Sequence, residues 1–180
     1  ACVDKTKLMT KDNLKYASLN IENVTFKHIW SVYSVVGAGT RDGIFMQMGG
    51  KRNNVIKNCI FQDILSQYGH ATIVYLKKGS AILDHCSFIN CTSGYGAVSV
   101  YDPNSVKSTD MIVRNCYFEG NYASTEPGCI NNCGKLTVYN TTFVKNRSFW
   151  WAGAIHTHNG GNTTIYDSNF TDNVAGWNGG

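Results

Sequence analysis

A short motif that ends in phenylalanine recurs along this chain and leaves few folds open to it. Each copy has alternating apolar residues, then Asn or a substitute, a small residue, any residue and Phe. The Phe residues of the copies are Phe26, Phe61, Phe88, Phe118, Phe143 and Phe170, separated by 35, 27, 30, 25 and 27 positions. A period of a little under thirty residues is typical of a solenoid, in which each repeat packs on the next.

The pattern inside each copy is that of β-strands. Apolar residues alternate over short runs rich in Val, Ile, Thr and Tyr, and no window of eleven or more residues carries a helical stripe. Strands that recur once per repeat in the same order stack in parallel, about 4.8 Å apart. The sequence therefore predicts an all-β fold, a right-handed parallel β-helix of about six coils, as a single domain over residues 1–180.

Stacking places equivalent positions in columns. The Phe column is expected to form a buried aromatic ladder. Three positions earlier, an Asn-rich column is expected to build the same turn in each coil and to pass hydrogen bonds between coils. Its members are Asn23, Asn58, His85, Asn115, Asn140 and Asp167. Three positions after Phe, a column changes from apolar residues to Asn121, Asn146 and Asn173, which predicts a second amide ladder that begins halfway along.

Two motifs carry a family resemblance. Phe-x-x-Asn occurs at Phe118, Phe143 and Phe170, and Gly-Ala-Ile or Gly-Ala-Val elements recur, as at 96–98 and 153–155. This combination resembles the repeats of the polymorphic outer membrane protein family, and equally the adhesin-like β-helical surface proteins of methanogenic archaea and some protists. The first repeat lacks the Gly-Ala element and has Ile29 at the last motif position. The resemblance implies an extracellular or cell-surface adhesin or stalk and not an enzyme.

The seven cysteines fit an oxidising extracellular compartment. Cys59, Cys86 and Cys116 lie two positions before Phe in consecutive coils, where they are expected to be small buried residues, with a strained disulfide as the alternative. The local disulfide pairs that we predict are Cys86 with Cys91 and Cys129 with Cys133. Because no Cys-x-x-Cys pair is repeated, we predict no metal site.

Six Asn-x-Ser/Thr sequons are candidates for glycosylation. Three of them, at Asn23, Asn140 and Asn146, fall in columns that are expected to point inward, where no glycan fits. The predicted acceptors are Asn162, Asn169 and Asn90, of which Asn162, in an Asn-Gly-Gly-Asn loop, is the best.

A further aromatic column lies seven positions after Phe. It consists of Tyr33, Tyr68, Tyr95, Trp150 and Trp177, and is broken at Thr125. These rings are expected either to contact sugars or a partner surface, or to form a second stacked ladder at a corner of the coil. Trp150 and Trp151 cannot both point inward from one strand, so this pair is the favoured contact site.

The sequence offers little for catalysis. Polysaccharide hydrolases and lyases need acidic side chains close together on adjacent coils. The acids Asp63, Asp84, Glu119, Asp167 and Asp172 are scattered, and only Asp63 and Asp172 share a column. His156 and His158 could lie on one face, but we expect no carboxylate or nucleophile beside them. We therefore predict no catalytic residue, no cofactor and no enzymatic activity.

Charge and the chain ends suggest which partners to expect. Charged residues make up 16% of the chain with no block of like charge, so no nucleic acid is predicted to bind. No apolar run is long enough to insert into a membrane. No capping helix is predicted at either end, so the chain is expected to be part of a longer repeat protein or to stack end to end on copies of itself.

These features together predict a non-catalytic extracellular structural or adhesive module of a cell surface or appendage. Surface glycans and other surface proteins are further candidate partners. The alternative is a carbohydrate-active β-helix enzyme, a lyase or hydrolase, or a carbohydrate-binding module.

Overall fold

Short β-strands form all the regular structure in the described part of the chain. The computed structural model describes residues 20–31, 53–66, 73–76, 79–100 and 109–179. Within these ranges every pairing between strands is parallel. The strands recur in a fixed order and divide into four sheets, named A to D in the order in which each coil visits them.

Sheets A and B carry the motif that ends in Phe. Sheet A consists of β1 (Asn20–Glu22), β4 (Asn53–Lys57), β8 (Gly79–Asp84), β12 (Thr109–Arg114), β16 (Lys135–Tyr139) and β20 (Asn162–Tyr166). Sheet B consists of β2 (Thr25–Lys27), β5 (Ile60–Gln62), β9 (Ser87–Ile89), β13 (Tyr117–Glu119), β17 (Thr142–Val144) and β21 (Asn169–Thr171).

Sheets C and D return the chain to the start of the next coil. Sheet C consists of β3 (Trp30–Ser31), β6 (Leu65–Ser66), β10 (Thr92–Ser93), β14 (Tyr122–Ala123), β18 (Arg147–Ser148) and β22 (Val174–Ala175). Sheet D consists of β7 (Val74–Leu76), β11 (Val98–Val100), β15 (Ile130–Asn132) and β19 (Ile155–Thr157). Six repeats thus supply sheets A to C, and four coils carry all four strands.

The register of the sheets follows the sequence repeat. Phe118 pairs with Phe88 on one side and with Phe143 on the other. In sheet A, Val113 pairs with Leu83 and with Val138. Equivalent positions of successive repeats therefore lie side by side, and the prediction of an all-β parallel solenoid is confirmed.

The six Phe rings form one continuous stack through the interior. Neighbouring ring centroids are 4.6 to 5.0 Å apart and the rings are nearly parallel. The four central rings are fully buried, whereas Phe170 in the last coil is 45% exposed. Each interior ring therefore contacts two others, and the final ring contacts one.

The corner between sheets A and B explains the Asn-rich column. Every member of the column has a positive φ between 41° and 59°, a left-handed conformation that Asn and Asp tolerate better than most residues. The side chains are hydrogen-bonded between coils, as from Asn58 Nδ2 to Asn23 Oδ1 (3.1 Å) and from Asn140 Nδ2 to Asn115 Oδ1 (3.0 Å). The predicted inward orientation is wrong for Asn23 and Asn140, because this ladder runs along the outside of the corner and both side chains are exposed.

A second left-handed corner, between sheets B and C, was not predicted. It lies two positions after Phe, and φ there is between 50° and 62° in all six coils. Its residues are His28, Asp63, Asn90, Gly120, Lys145 and Asp172. Their chemical variety hides the shared backbone geometry from a search for repeated residues.

A buried amide ladder occupies the second half of the interior. Asn121 and Asn146 are almost completely buried. Asn146 Nδ2 donates to Phe118 O (3.0 Å) and to Asn173 Oδ1 (2.9 Å), and Asn146 Oδ1 accepts from Asn121 Nδ2 (2.9 Å). These bonds satisfy the buried amides and leave no space for a glycan at the Asn146 sequon.

The described cysteines are free thiols. Six of them, at positions 59, 86, 91, 116, 129 and 133, are buried and unbridged. The predicted pairs Cys86–Cys91 and Cys129–Cys133 do not form. Stacking places Cys86 between the equivalent cysteines of the coils on either side, and its amide contacts Cys116 Sγ at 3.4 Å.

Candidate functional site

The outer face of sheet D gathers polar side chains from successive coils. Tyr75, Ser99, Asn131 and His156 are aligned by the strand register. Val98, Ile130 and Ile155, which directly precede Ser99, Asn131 and His156, pack in or against the apolar core. Because strand side chains alternate between faces, the aligned polar residues point away from that core.

A tight bend between sheets C and D brings Glu126 to this face. Gly128 follows Glu126 closely, and a Cβ at Gly128 would lie 2.4 Å from the carbonyl oxygen of Gly153 in the next coil. Only glycine lets the two coils approach so closely at the bend. The bend holds Glu126 Oε2 3.0 Å from His156 Nδ1, although the two residues are 30 positions apart in the sequence.

His156 and His158 lie on the same face, as their spacing in the sequence predicts. Their rings are parallel, with centroids 4.7 Å apart. The expectation that no carboxylate or nucleophile accompanies them is wrong, because Glu126 comes from the preceding coil. Within the described residues, Glu126, His156 and His158 are the one group of three or more His, Cys, Asp or Glu side chains whose donor atoms all lie within 4.8 Å. We call this group the histidine cluster.

Two buried residues support His158. Its Nε2 lies 2.8 Å from Asn131 Oδ1 and 3.1 Å from Cys133 Sγ. Burial lowers the pKa of His158, and the neighbouring His156 lowers it further. Burial also raises the pKa of Cys133 to about 11. The Cys133 side chain is therefore a neutral thiol at neutral pH and not an activated nucleophile.

Aromatic side chains surround the cluster on one side. Trp151 stacks parallel to His156 with centroids 5.8 Å apart and is 40% exposed. The ring centroid of Trp150 lies 5.2 Å from that of Phe149 and 4.7 Å from that of Trp177. The Trp177 side chain is 70% exposed. We call Phe149, Trp150, Trp151 and Trp177 the tryptophan surface. Its rings come from the connection between sheets C and D in two adjacent coils.

The remaining predicted contact residues do not extend this surface in the described chain. Tyr95 is half-buried and lies two coils before Trp150. Tyr33 and Tyr68 lie outside the described residues. Two described members of the predicted column, Trp150 and Trp177, contact each other with ring centroids 4.7 Å apart and ring planes inclined at 58°.

The three predicted glycan acceptors are exposed. Asn162 begins β20, Asn169 begins β21, and Asn90 lies at the second left-handed corner. Asn162 and Asn169 belong to the last coil. Their exposure leaves space for a glycan at each of the three positions.

The Asp84 carboxylate has a structural role away from the histidine cluster. Asp84, which is almost buried, accepts hydrogen bonds from Arg114 Nη2 (2.8 Å) and Asn115 Nδ2 (3.0 Å) and contacts His85 Nδ1 (2.7 Å). Burial raises the pKa of Asp84, but these hydrogen bonds outweigh it and hold the pKa at about 2. This carboxylate thus ties two coils together and is not poised for proton transfer.

No helix in the described part of the chain has the length and apolarity of a membrane span. Neither the search of curated proteins nor the search of solved structures returned a match to this chain. The family model described as a right-handed β-helix region matches residues 13–179, which is most of the chain. Together with the parallel stacking of its repeats, this match shows that the chain belongs to the right-handed β-helix family.

Proposed function

We propose that the chain is a non-catalytic extracellular adhesive module that contacts carbohydrate through the tryptophan surface. The observation that carries this proposal is the exposure of Trp151 and Trp177 beside two further rings on a rigid stack of coils. Large exposed aromatic groups on such a scaffold are characteristic of contact surfaces. The C–H faces of a sugar ring pack against an indole ring in the way that apolar groups pack on an aromatic face.

Two further observations favour adhesion over catalysis. The neutral Cys133 thiol is not activated for attack, and Asp84 is held as a structural ion. The repeats also resemble those of the polymorphic outer membrane protein family and related adhesin-like surface proteins, for which a cell-surface position is typical. We therefore extend the proposal to secretion and display on a cell surface or appendage.

The test is saccharide binding by matched tryptophan variants. The full chain is screened on a glycan array, and hits are titrated by calorimetry. Trp151→Ala and Trp177→Ala should each weaken binding at least tenfold, whereas Trp30→Ala should not, although Trp30 is also 65% exposed. No binding to any saccharide, or equal loss in all three variants, contradicts the proposal.

Secretion makes a separate prediction about the sequons. A chain passed through a eukaryotic secretory pathway should carry glycans at exposed positions such as Asn162, and none at buried Asn146. Peptide mass spectrometry after glycosidase treatment in oxygen-18-labelled water locates each glycan, because the released Asn becomes an Asp that carries the labelled oxygen. A glycan at Asn146 would contradict the described burial of that amide.

End-to-end stacking on a second copy is the partner that we propose. The last coil leaves its core-side residues Ile165 and Phe170 exposed, in the same columns as the buried Val138 and Phe143 of the preceding coil. A further coil with the same columns would cover them and continue the Phe stack. Such head-to-tail contacts do not close, so they produce filaments.

Light scattering with a matched pair of variants tests this assembly. Ile165→Asp places a charge at the exposed end of the core and should abolish any association. Thr164→Asp adds the same charge on the neighbouring outward position of β20 and should leave association unchanged. A wild-type chain that remains monomeric at millimolar concentration refutes end-to-end stacking.

A carbohydrate-active enzyme is the second candidate function. It is favoured by the hydrogen-bonded pair of Glu126 and His156 next to the exposed ring of Trp151. Incubation with acidic and neutral polysaccharides, with assays for reducing ends and for unsaturated products, decides between the two. Product formation that is lost in Glu126→Gln would establish an enzyme and displace the proposal of a purely adhesive module.

A further inference from the structure

The histidine cluster combines one carboxylate and two imidazoles on an outer face of the solenoid. We propose that Glu126, His156 and His158 bind a divalent transition-metal ion of the zinc type. This inference is independent of the proposed adhesive function, because it rests on donor chemistry and not on the tryptophan surface.

The separation of the donor atoms fits such an ion. Two donor atoms bound at about 2.0–2.1 Å in a tetrahedral zinc site lie about 3.3 Å apart. Glu126 Oε2 and His156 Nδ1 are 3.0 Å apart, and one donor atom from each of the three residues lies within 4.8 Å of the others. Drawing the third donor in requires movement of at most about 1.5 Å, which is within the range of side-chain rotation.

Ring orientation defines the movement that is needed. The His156 and His158 rings are parallel within 6°, so their nitrogen lone pairs do not yet converge on one point. Binding one ion therefore requires at least one of the two imidazole rings to turn about its Cβ–Cγ bond. The strand backbone stays fixed, because His156 and its neighbours remain paired with β15.

The surroundings of the cluster provide a second observation. Asn131 is fully buried, and its Nδ2 has no hydrogen-bond partner among the described residues. Its Oδ1 lies 2.8 Å from His158 Nε2, so the amide lies directly against the cluster. An unpaired buried amide is costly, and a water on a bound ion supplies the acceptor that it lacks.

The donor set also indicates which ions are excluded. Ca²⁺ and Mg²⁺ prefer cages made of oxygen atoms, whereas imidazole nitrogen selects zinc, copper and nickel. Cys133 Sγ lies 3.1 Å from His158 Nε2 and is a candidate for a fourth ligand once the imidazole rings have turned. If Cys133 joins, the site becomes closed, and if water joins, the site keeps an open position.

Calorimetric titration of the chelator-treated full chain with Zn²⁺, and separately with Ca²⁺, tests the site. The expected result is one Zn²⁺ per chain at micromolar concentration or below, with no Ca²⁺ binding under the same conditions. Glu126→Gln and His158→Gln should each weaken Zn²⁺ binding by about 100-fold or more, since loss even of a residue that only hydrogen-bonds to a metal ligand costs about 10–100-fold. His28→Asn is the matched control and should bind as the wild type, because His28 belongs to the first coil and pairs with Asp63.

Cobalt absorption spectroscopy is a second measurement, which reports the coordination of the metal and not whether the chain is folded. Co²⁺ bound to the wild type should show the intense visible bands of tetrahedral coordination, and a thiolate-to-cobalt band would identify Cys133 as the fourth ligand. If His158→Gln does not fold, the near-isosteric Glu126→Gln decides the question. Absence of Zn²⁺ binding at 100 µM, or equal weakening in His28→Asn, overturns the proposal.

Discussion

The stack of six Phe rings makes a quantitative prediction about position along the solenoid. Phe118 is fully buried, with neighbouring ring centroids at 4.8 and 4.9 Å. Phe170 occupies the same column in the last coil, but it is 45% exposed and has one neighbour, at 4.7 Å. The same substitution at the two positions therefore removes the same atoms from different surroundings.

The expected magnitudes follow from these surroundings. Phe118→Ala should cost about 4–5 kcal/mol, at the upper end of values for buried Phe, because the side chain leaves a cavity and two ring contacts are lost. Phe170→Ala should cost about 1–2 kcal/mol, since roughly half of the transfer free energy and one ring contact are lost. The difference between the variants should thus be about 2–4 kcal/mol.

Urea unfolding followed by circular dichroism measures both values. The free energies of unfolding can be compared when each variant keeps the wild-type dependence of that free energy on urea concentration. A changed dependence would indicate that the solenoid unfolds in parts. If the two variants differ by less than about 0.5 kcal/mol, the ladder does not stabilise the chain in the way that its geometry implies.

Three further predictions concern the corners, the ion network and the thiols. Asn58→Gly should be nearly neutral, whereas Asn58→Val should cost about 1–2 kcal/mol in thermal unfolding, because φ at this corner is 52° and a branched side chain is strained there. The folded-state pKa of Asp84, about 2, lies below its unfolded value, so its stabilisation is present above about pH 4 and is lost as pH falls towards 2. Asp84→Asn should remove about 1–2 kcal/mol at pH 7 and flatten the dependence of the urea midpoint on pH between 4 and 2, and an unchanged dependence would contradict the assignment. The six described cysteines should resist iodoacetamide in the native chain and react in denaturant without a reductant, as measured by intact mass, and failure to react in denaturant would reveal disulfides.

The repeated part of the fold could be predicted from the sequence because each coil imposes the same requirement on the same position. A buried ring needs Phe, and a left-handed corner favours Asn, so both columns are visible as repeated residues. The direction of the Asn side chains could not be predicted, since a left-handed corner turns the chain whether its side chain points in or out. The second corner was missed because exposed His28, Lys145 and Asp172 meet its backbone requirement with different side chains.

The histidine cluster was missed for a different reason. His156 and His158 were visible as a pair, but Glu126 lies in a connection between strands, where the length of the coil varies and columns are no longer aligned. Two facts of the structure were needed to find it. The register pairs Asn131 with His156, and the close approach at Gly128 carries Glu126 onto the same face.

The buried column that changes from Ile64 and Cys91 to Asn121 and Asn146 restricts which coils can be neighbours in the solenoid. Asn121 is hydrogen-bonded to the main chain of the preceding coil, at Phe88 and Cys91, and to the side-chain amide of Asn146 in the next coil. An amide coil placed among apolar coils would keep the main-chain bonds and lose the side-chain partner. A duplicated coil can therefore be inserted between Asn121 and Asn173 with all these hydrogen bonds kept, whereas exchange of coils across the boundary leaves buried amides with fewer hydrogen bonds. The order of the repeats is thus specified from within, and growth or shortening of the stack by recombination is favoured in the half that carries the amides.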